Sequence, residues 1–104
     1  MKLMTAEEFK ALPENTVYCK YEPMHFTEFG IKFSTLYHDG KAIDFASLNI
    51  LDCAVDFDRL EAGKPVEVDP TMIGRDGYFE DDQMYAVWEK KDIEIMIAAL
   101  QKCL

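Results

Sequence analysis

Apolar and polar residues alternate most regularly on either side of Asp39-Gly40, between residues 31 and 50. A two-residue Asp-Gly loop favours the type I′ turn, whose twist matches that of two antiparallel strands. With this loop, an unbroken hairpin register places Leu36 opposite Ile43. One face of the hairpin then gathers large apolar residues and is the predicted packed face, consisting of Ile31, Phe33, Tyr37, Leu48 and Ile50.

The opposite face of this hairpin is mostly polar, but three apolar residues lie together near its tip. They are Leu36, Ile43 and Phe45. We expect either the C-terminal helix or a partner molecule to cover this cluster. If the partner is a second copy of the chain, the cluster is the interface of a small structural or assembly subunit that forms a homo-oligomer.

Helical signals mark both ends of the chain. Thr5 and Glu8 have the spacing of a capping box at the start of a short helix, which Pro13 ends. Near the C-terminus, apolar residues recur at helical spacing and predict a longer amphipathic helix; they are Ile93, Met96, Ile97, Leu100 and Leu104.

Strand signals fill the region between these helices. Residues 16–22 alternate with period two, and residues 83–89 are apolar on both sides, so each predicts a strand. Residues 24–29 have no clear period and are expected to form a loop or a short edge segment. Residues 57–62 favour a short helix, and residues 69–77 are expected to form a turn-rich connection.

Together these elements predict a single α+β domain over residues 1–104. Its expected architecture is a small two-layer fold, in which a four- to five-stranded, mainly antiparallel sheet carries a short N-terminal and a longer C-terminal helix. Hydrophobic residues make up 49% of the chain, which is too high a fraction for a disordered protein.

The cysteines and the apolar stretches indicate the cellular compartment in which we expect the protein. Cys19, Cys53 and Cys103 are an odd number at wide spacing, which fits neither a disulfide framework nor a cysteine-ligated zinc site. The longest apolar stretch is far shorter than the roughly 20 residues that cross a bilayer. We therefore expect a cytoplasmic protein without membrane contact.

Acidic residues outnumber basic ones by 20 to 11, giving a net charge of −9. Direct binding to nucleic acid is therefore disfavoured, because such binding depends on cationic contacts with phosphates. The surplus is concentrated between residues 56 and 82, where nine acidic residues face three basic ones. This segment would attract a protein partner with a basic surface.

The leading hypothesis is a non-enzymatic binding protein that uses this acidic segment. In its most specific form, the protein is an inhibitor that occupies the nucleic-acid-binding surface of a bacterial or phage protein, with carboxylates in place of phosphates. An aromatic residue would anchor the contact. The proposed contact residues are Asp56, Asp58, Asp76, Tyr78, Glu80, Asp81 and Asp82.

The loop from Gly74 to Asp82 reads GRDGYFEDD and could suggest a cation site. It does not match the calcium loop of an EF-hand, whose carboxylates alternate along the chain and are followed by glycine. On an extended chain, the consecutive acids Glu80, Asp81 and Asp82 cannot all point toward one ion. The two glycines favour a turn instead, and no metal is predicted.

No catalytic or cofactor-binding motif occurs in the sequence, which lacks a nucleophile elbow, a zinc-protease motif, a P-loop and a dinucleotide fingerprint. We therefore predict neither enzymatic activity nor a cofactor. The one enzymatic alternative requires a cleft that joins His25 or His38 to carboxylates, because these are the side chains that titrate near neutral pH.

Overall fold

The computed structural model describes residues 1–54, 57–65, 69–77 and 80–104. In chain order the elements are β1 (Lys2–Met4), α1 (Ala6–Lys10), β2 (Thr16–Glu22), β3 (His25–His38), β4 (Lys41–Ala54), α2 (Phe57–Glu61), β5 (Asp69–Arg75), β6 (Met84–Val87) and α3 (Lys90–Gln101). The strands form one antiparallel sheet in the order β1-β6-β2-β3-β4-β5. The predicted α+β class is confirmed, but the sheet has six strands in these residues, more than predicted.

Helix α1 begins at the predicted capping box. The backbone N–H of Glu8 donates to the Thr5 hydroxyl at 3.2 Å, and the Thr5 N–H donates to the Glu8 carboxylate at 3.0 Å. These bonds satisfy backbone donors that a helix start otherwise leaves unpaired. Because α1 has only five residues, packing must hold it in place, and Phe9 is completely buried beneath it.

The core is a cluster of aromatic rings around Phe9. The Phe9 ring centroid lies 4.2 Å from that of Tyr85, 4.8 Å from that of Tyr18 and 5.0 Å from that of Phe45. All four side chains are fully buried. Aromatic side chains each bury a large apolar area, so this cluster is the main hydrophobic contribution to stability.

The prediction for the packed face of the hairpin is wrong. Phe45, on the face predicted to be mostly polar, lies in the core, whereas Tyr37 on the predicted packed face is 65% exposed. Two irregularities in the β3–β4 ladder shift its register by one residue and then shift it back, so that Leu36 lies opposite Asp44 instead of Ile43. The helix over Phe45 is α1, not the C-terminal helix.

A lysine is also buried on this core face. Lys32 is 1% exposed, and its ammonium group donates to Thr35 Oγ1 at 2.7 Å and to the Leu12 carbonyl at 3.0 Å. A buried charge is tolerated only when hydrogen bonds replace its hydration. Lys32 thereby joins the end of α1 to the sheet.

Two segments expected to be irregular are strands. β3 begins at His25, after a turn in which Met24 has φ 74°, and β5 covers residues 69–75. Described residues on both sides of positions 78–79, between β5 and β6, contact β4 and α1. Asp76 N–H donates to the Phe45 carbonyl at 3.1 Å, and Lys10 of α1 contacts Asp81 at 3.3 Å.

Helix α3 lies on the other side of the sheet and is loosely packed. None of its residues is buried, although the predicted amphipathic pattern is present. Its start is held by the N-terminal ammonium group, which lies 2.7 Å from Asp92 Oδ2. Among the helices in the described residues, none has the length and apolar character needed to cross a membrane.

Candidate functional site

The structure does not place the predicted acidic contact residues on one surface. Asp76 is 1% exposed and lies inside the protein, and Asp81 is exposed but contacts Lys10. Asp58, Glu80 and Asp82 are exposed. Asp56 and Tyr78 lie outside the described residues. The acidic segment is therefore divided between interior and surface, which net charge along the sequence cannot reveal.

The predicted apolar cluster at the hairpin tip is not a free interface either. Phe45 is completely buried against the aromatic core, and Leu36 and Ile43 are half-buried. Phe45 is therefore unavailable to a second copy, because α1 and the core rings already cover it. Its burial follows from the position of α1 and the core rings over the hairpin face that Phe45 shares with Lys32 and Ser47, which are also buried.

Asp76 is the centre of a buried polar cluster. The Tyr18 hydroxyl donates to Asp76 Oδ2 at 2.5 Å. The Lys20 ammonium group donates to the Asp76 carbonyl at 2.6 Å and to its Oδ1 at 3.3 Å. The same ammonium group lies 3.0 Å from the Glu28 carboxylate, which is half-exposed. Strand β2 thus supplies the phenol and the ammonium group, and β3 and the end of β5 supply one carboxyl group each.

Local backbone irregularities create this cluster. The β2–β3 ladder shifts between Cys19 and Lys20, and Glu28 is the additional residue on β3, with φ 50°. A bulge of this kind turns a side chain out of the regular alternation. Gly30 lies beside it, where a Cβ atom would be 2.9 Å from the Tyr18 hydroxyl oxygen. The absence of a side chain there makes room for the buried phenol.

Burial, together with the neighbouring Glu28, raises the pKa of Asp76 to about 7, while Tyr18 and Lys20 oppose the shift. The hydrogen bond with Asp76, together with Lys20, lowers the pKa of Glu28. Burial alone would lower the pKa of Lys20, but Glu28 and Asp76 outweigh it and raise this pKa. The cluster therefore favours a proton on Asp76 rather than on Glu28.

A cavity of about 670 Å³ opens beside this cluster. It lies where the β3–β4 ladder ends at the Phe29–Ile50 pair, beyond which residues 25–27 of β3 pair with β2. Glu28 and Asp76 line it from the polar side. The apolar wall comes from both the sheet and α3 and consists of Phe26, Phe29, Ile50, Trp88, Met96 and Leu100. We call this space the β3–β4 cavity.

The apolar residues of α3 continue outward from the cavity. Met96 is 40% exposed, Leu100 is 59% exposed, and Leu104 is fully exposed. Ile95 and Ile97 are also at least half-exposed. We call the surface of these five residues the α3 stripe. A helix with so many apolar side chains in water is typical of an interaction surface.

The two histidines lie on the surface. His25 is exposed, and His38 is exposed beside Asp39, with 3.4 Å between the imidazole and the carboxylate. Neither lines the β3–β4 cavity. Within the described ranges, no group of three or more histidine, cysteine or acidic side chains has the arrangement of a metal site.

The sequence interpretation included Asp76 but missed Tyr18, Lys20, Glu28 and the cavity. A glycine inside a strand can indicate close approach of another group, and Gly30 was the one available signal. The bulge at Glu28 has no comparable signature in the sequence. No protein-family model matches the chain, and no curated protein or solved structure is significantly similar to it.

Proposed function

We propose that the protein acts by protein–protein binding without catalysis, and that it assembles as a homodimer through the α3 stripe. The observation that carries this proposal is the exposure of four large apolar side chains on one short helix, and of Leu104 just beyond its end, none of them buried. The proposal keeps the assembly hypothesis from the sequence but moves the interface from the hairpin tip to α3.

The hydrophobic gain is comparable with the cost of forming a dimer. Ile95 lies about 200° around the helix from Ile97, so only the other four residues of the α3 stripe are counted. Their exposed fractions together equal about 2.5 fully exposed side chains in each copy. At about 1.5–3 kcal/mol for each side chain buried, two copies would gain about 8–15 kcal/mol. Association itself costs about 4–15 kcal/mol, so burial of this surface supports a dimer.

Charge favours α3 over the rest of the surface as a contact between copies. The chain carries a net charge of −9, but α3 and its C-cap contain three lysines against Asp92 and Glu94. Two copies therefore meet with least repulsion at this helix. An antiparallel helix contact centred on Ile97 would bring Asp92 toward Lys102 of the second copy, with no like charges opposed.

The test is the molar mass in solution, measured by size-exclusion chromatography with light scattering over a dilution series. We expect a dimer that Leu100→Asp converts to a folded monomer, since Leu100 is 59% exposed and its replacement leaves the core intact. The control Glu94→Gln should stay dimeric. A monomeric wild type at every concentration, or a dimer that Leu100→Asp and Ile97→Asp leave unchanged, would overturn the proposal.

A basic partner protein is the second candidate, because Asp58, Glu80 and Asp82 are exposed. These residues support the inhibitor hypothesis, in which carboxylates occupy a nucleic-acid-binding surface. Its test is capture of a DNA-binding protein at low salt, together with displacement of its DNA. The Glu80→Gln/Asp82→Asn variant should lose this capture. Equal capture at high salt would exclude an electrostatic mechanism.

A further inference from the structure

We propose that the β3–β4 cavity binds an alkylammonium group carried on an apolar or aromatic body, and that Glu28 and Asp76 receive the ammonium group. The cavity shares Met96 and Leu100 with the proposed dimer contact, but its carboxyl groups come from the sheet and its connections.

The dimensions and walls of the cavity suit a small organic molecule. Its volume of about 670 Å³ lies within the range of about 300–1,000 Å³ that is typical of ligand sites. Phe29 and Trp88 stack with their ring centroids 5.0 Å apart and form a flat apolar wall. Aromatic faces also attract cations, which favours a ligand with a positive charge beside an apolar body.

The polar side of the cavity has one positive group for two carboxyl groups. Lys20 contacts both Glu28 and Asp76, at 3.0 Å and 3.3 Å. Tyr18 stays neutral at ordinary pH, because burial raises the pKa of its phenol. If both carboxyl groups were ionised, this cluster would carry one net negative charge. A ligand ammonium group would supply the missing positive charge.

Two neighbouring basic groups have carboxylate partners outside this cluster. Arg75 lies 2.7 Å from Asp44, and Lys10 lies 3.3 Å from Asp81. Tyr85 is the other titratable group close to Asp76, and burial raises the pKa of its phenol too. In the free protein a proton on Asp76 partly balances the cluster, since its pKa is about 7.

An entering ammonium group would therefore displace this proton. Because the pKa of Asp76 is raised to about 7, binding should release part of a proton per ligand at pH 7 and less at pH 8.5. Binding should accordingly tighten as the pH rises from 5 to 8 and the proton on Asp76 ceases to compete. Burial of a carboxylate beside a bound cation is also more favourable than burial of the carboxylate alone.

The experiment is a titration with phenethylamine, followed by the fluorescence of Trp88, which is the single tryptophan and lines the cavity. Calorimetry in two buffers of different ionisation enthalpy measures the proton release. The uncharged analogue 2-phenylethanol and the anion phenylacetate are the controls. We expect both to bind at least about tenfold more weakly, since charge-assisted hydrogen bonds are lost.

Variants distinguish the carboxyl groups from the apolar wall. Glu28→Gln should weaken phenethylamine binding, and Asp76→Asn should also abolish proton release, while Glu94→Gln should change neither. Equal binding of 2-phenylethanol, or binding that both carboxyl variants leave unchanged, would overturn the proposal. Absence of phenethylamine binding at millimolar concentration would also overturn the proposal. None of these results depends on the molar mass, so this proposal and the dimer can fail independently.

Discussion

The buried carboxyl group of Asp76 gives the fold a measurable dependence on pH. Its pKa is about 7 in the folded protein and about 3.8 in the unfolded chain. Between these values the folded state binds more protons than the unfolded state, so the free energy of unfolding falls as the pH rises. The full loss is about 4 kcal/mol, at about 1.36 kcal/mol for each pKa unit. It is complete above pH 7 and absent below pH 4.

Asp76→Asn removes this titration, because the amide has a similar shape but stays neutral. The amide oxygen can still accept the Tyr18 hydroxyl hydrogen bond. Between pH 5 and pH 8, the stability of the variant should rise relative to wild type by about 2–3 kcal/mol, the part of the shift that falls in this interval. The sign is opposite to that for a surface carboxylate stabilised by a salt bridge.

Urea unfolding at pH 5 and pH 8 measures this difference, with Asp81→Asn as the control, since Asp81 is an exposed acid beside Lys10. At about 1–3 kcal/mol per molar urea, the midpoint difference between variant and wild type should change by about 1–2 M. The control should show little change. If the Asp76→Asn difference is the same at both pH values, Asp76 is ionised in the folded protein and our account of the cluster is wrong.

Two further predictions concern packing. Phe9→Ala should destabilise the protein by about 3–5 kcal/mol in urea unfolding, because Phe9 contacts the other core rings. Ile73→Ala is the control and should cost less than about 1 kcal/mol, because the Ile73 side chain is 70% exposed. Equal losses in the two variants would contradict the proposed core. Gly30→Ala should cost about 1–3 kcal/mol, because the new Cβ would lie 2.9 Å from the Tyr18 hydroxyl oxygen and 3.1 Å from the Leu48 carbonyl oxygen. The double variant with Tyr18→Phe should lose less than the sum of the two single changes, and strict additivity would show that the close approach is not the cause.

Local signals in the sequence were sufficient for several elements. The capping box at Thr5 and the Asp39-Gly40 turn both act through neighbouring residues, and the structure confirms both. The apolar period of α3 likewise predicts a helix that is present. These features depend on backbone hydrogen bonds and on spacing within a few residues, so the local sequence is sufficient to specify them.

Features set by distant contacts were not predictable in this way. The hairpin register is regular at both ends, but α1 covers the face that carries Phe45, Lys32 and Ser47, which the local pattern indicated as mostly polar. Asp76 looked like a surface acid, because its burial depends on Lys20 and Tyr18, more than 50 residues away in the chain. Net charge counts the acids of a segment without indicating which of them point inward.

The order of the strands has a consequence for synthesis of the chain. β6 is the last strand to be made, yet it lies between β1 and β2 and pairs with both. On the ribosome, the first two strands must therefore wait with unpaired edges until residues 84–87 emerge. We expect the sheet to close only after β6 has been synthesised, and at a modest rate, because β6 pairs with strands from the opposite end of the sequence.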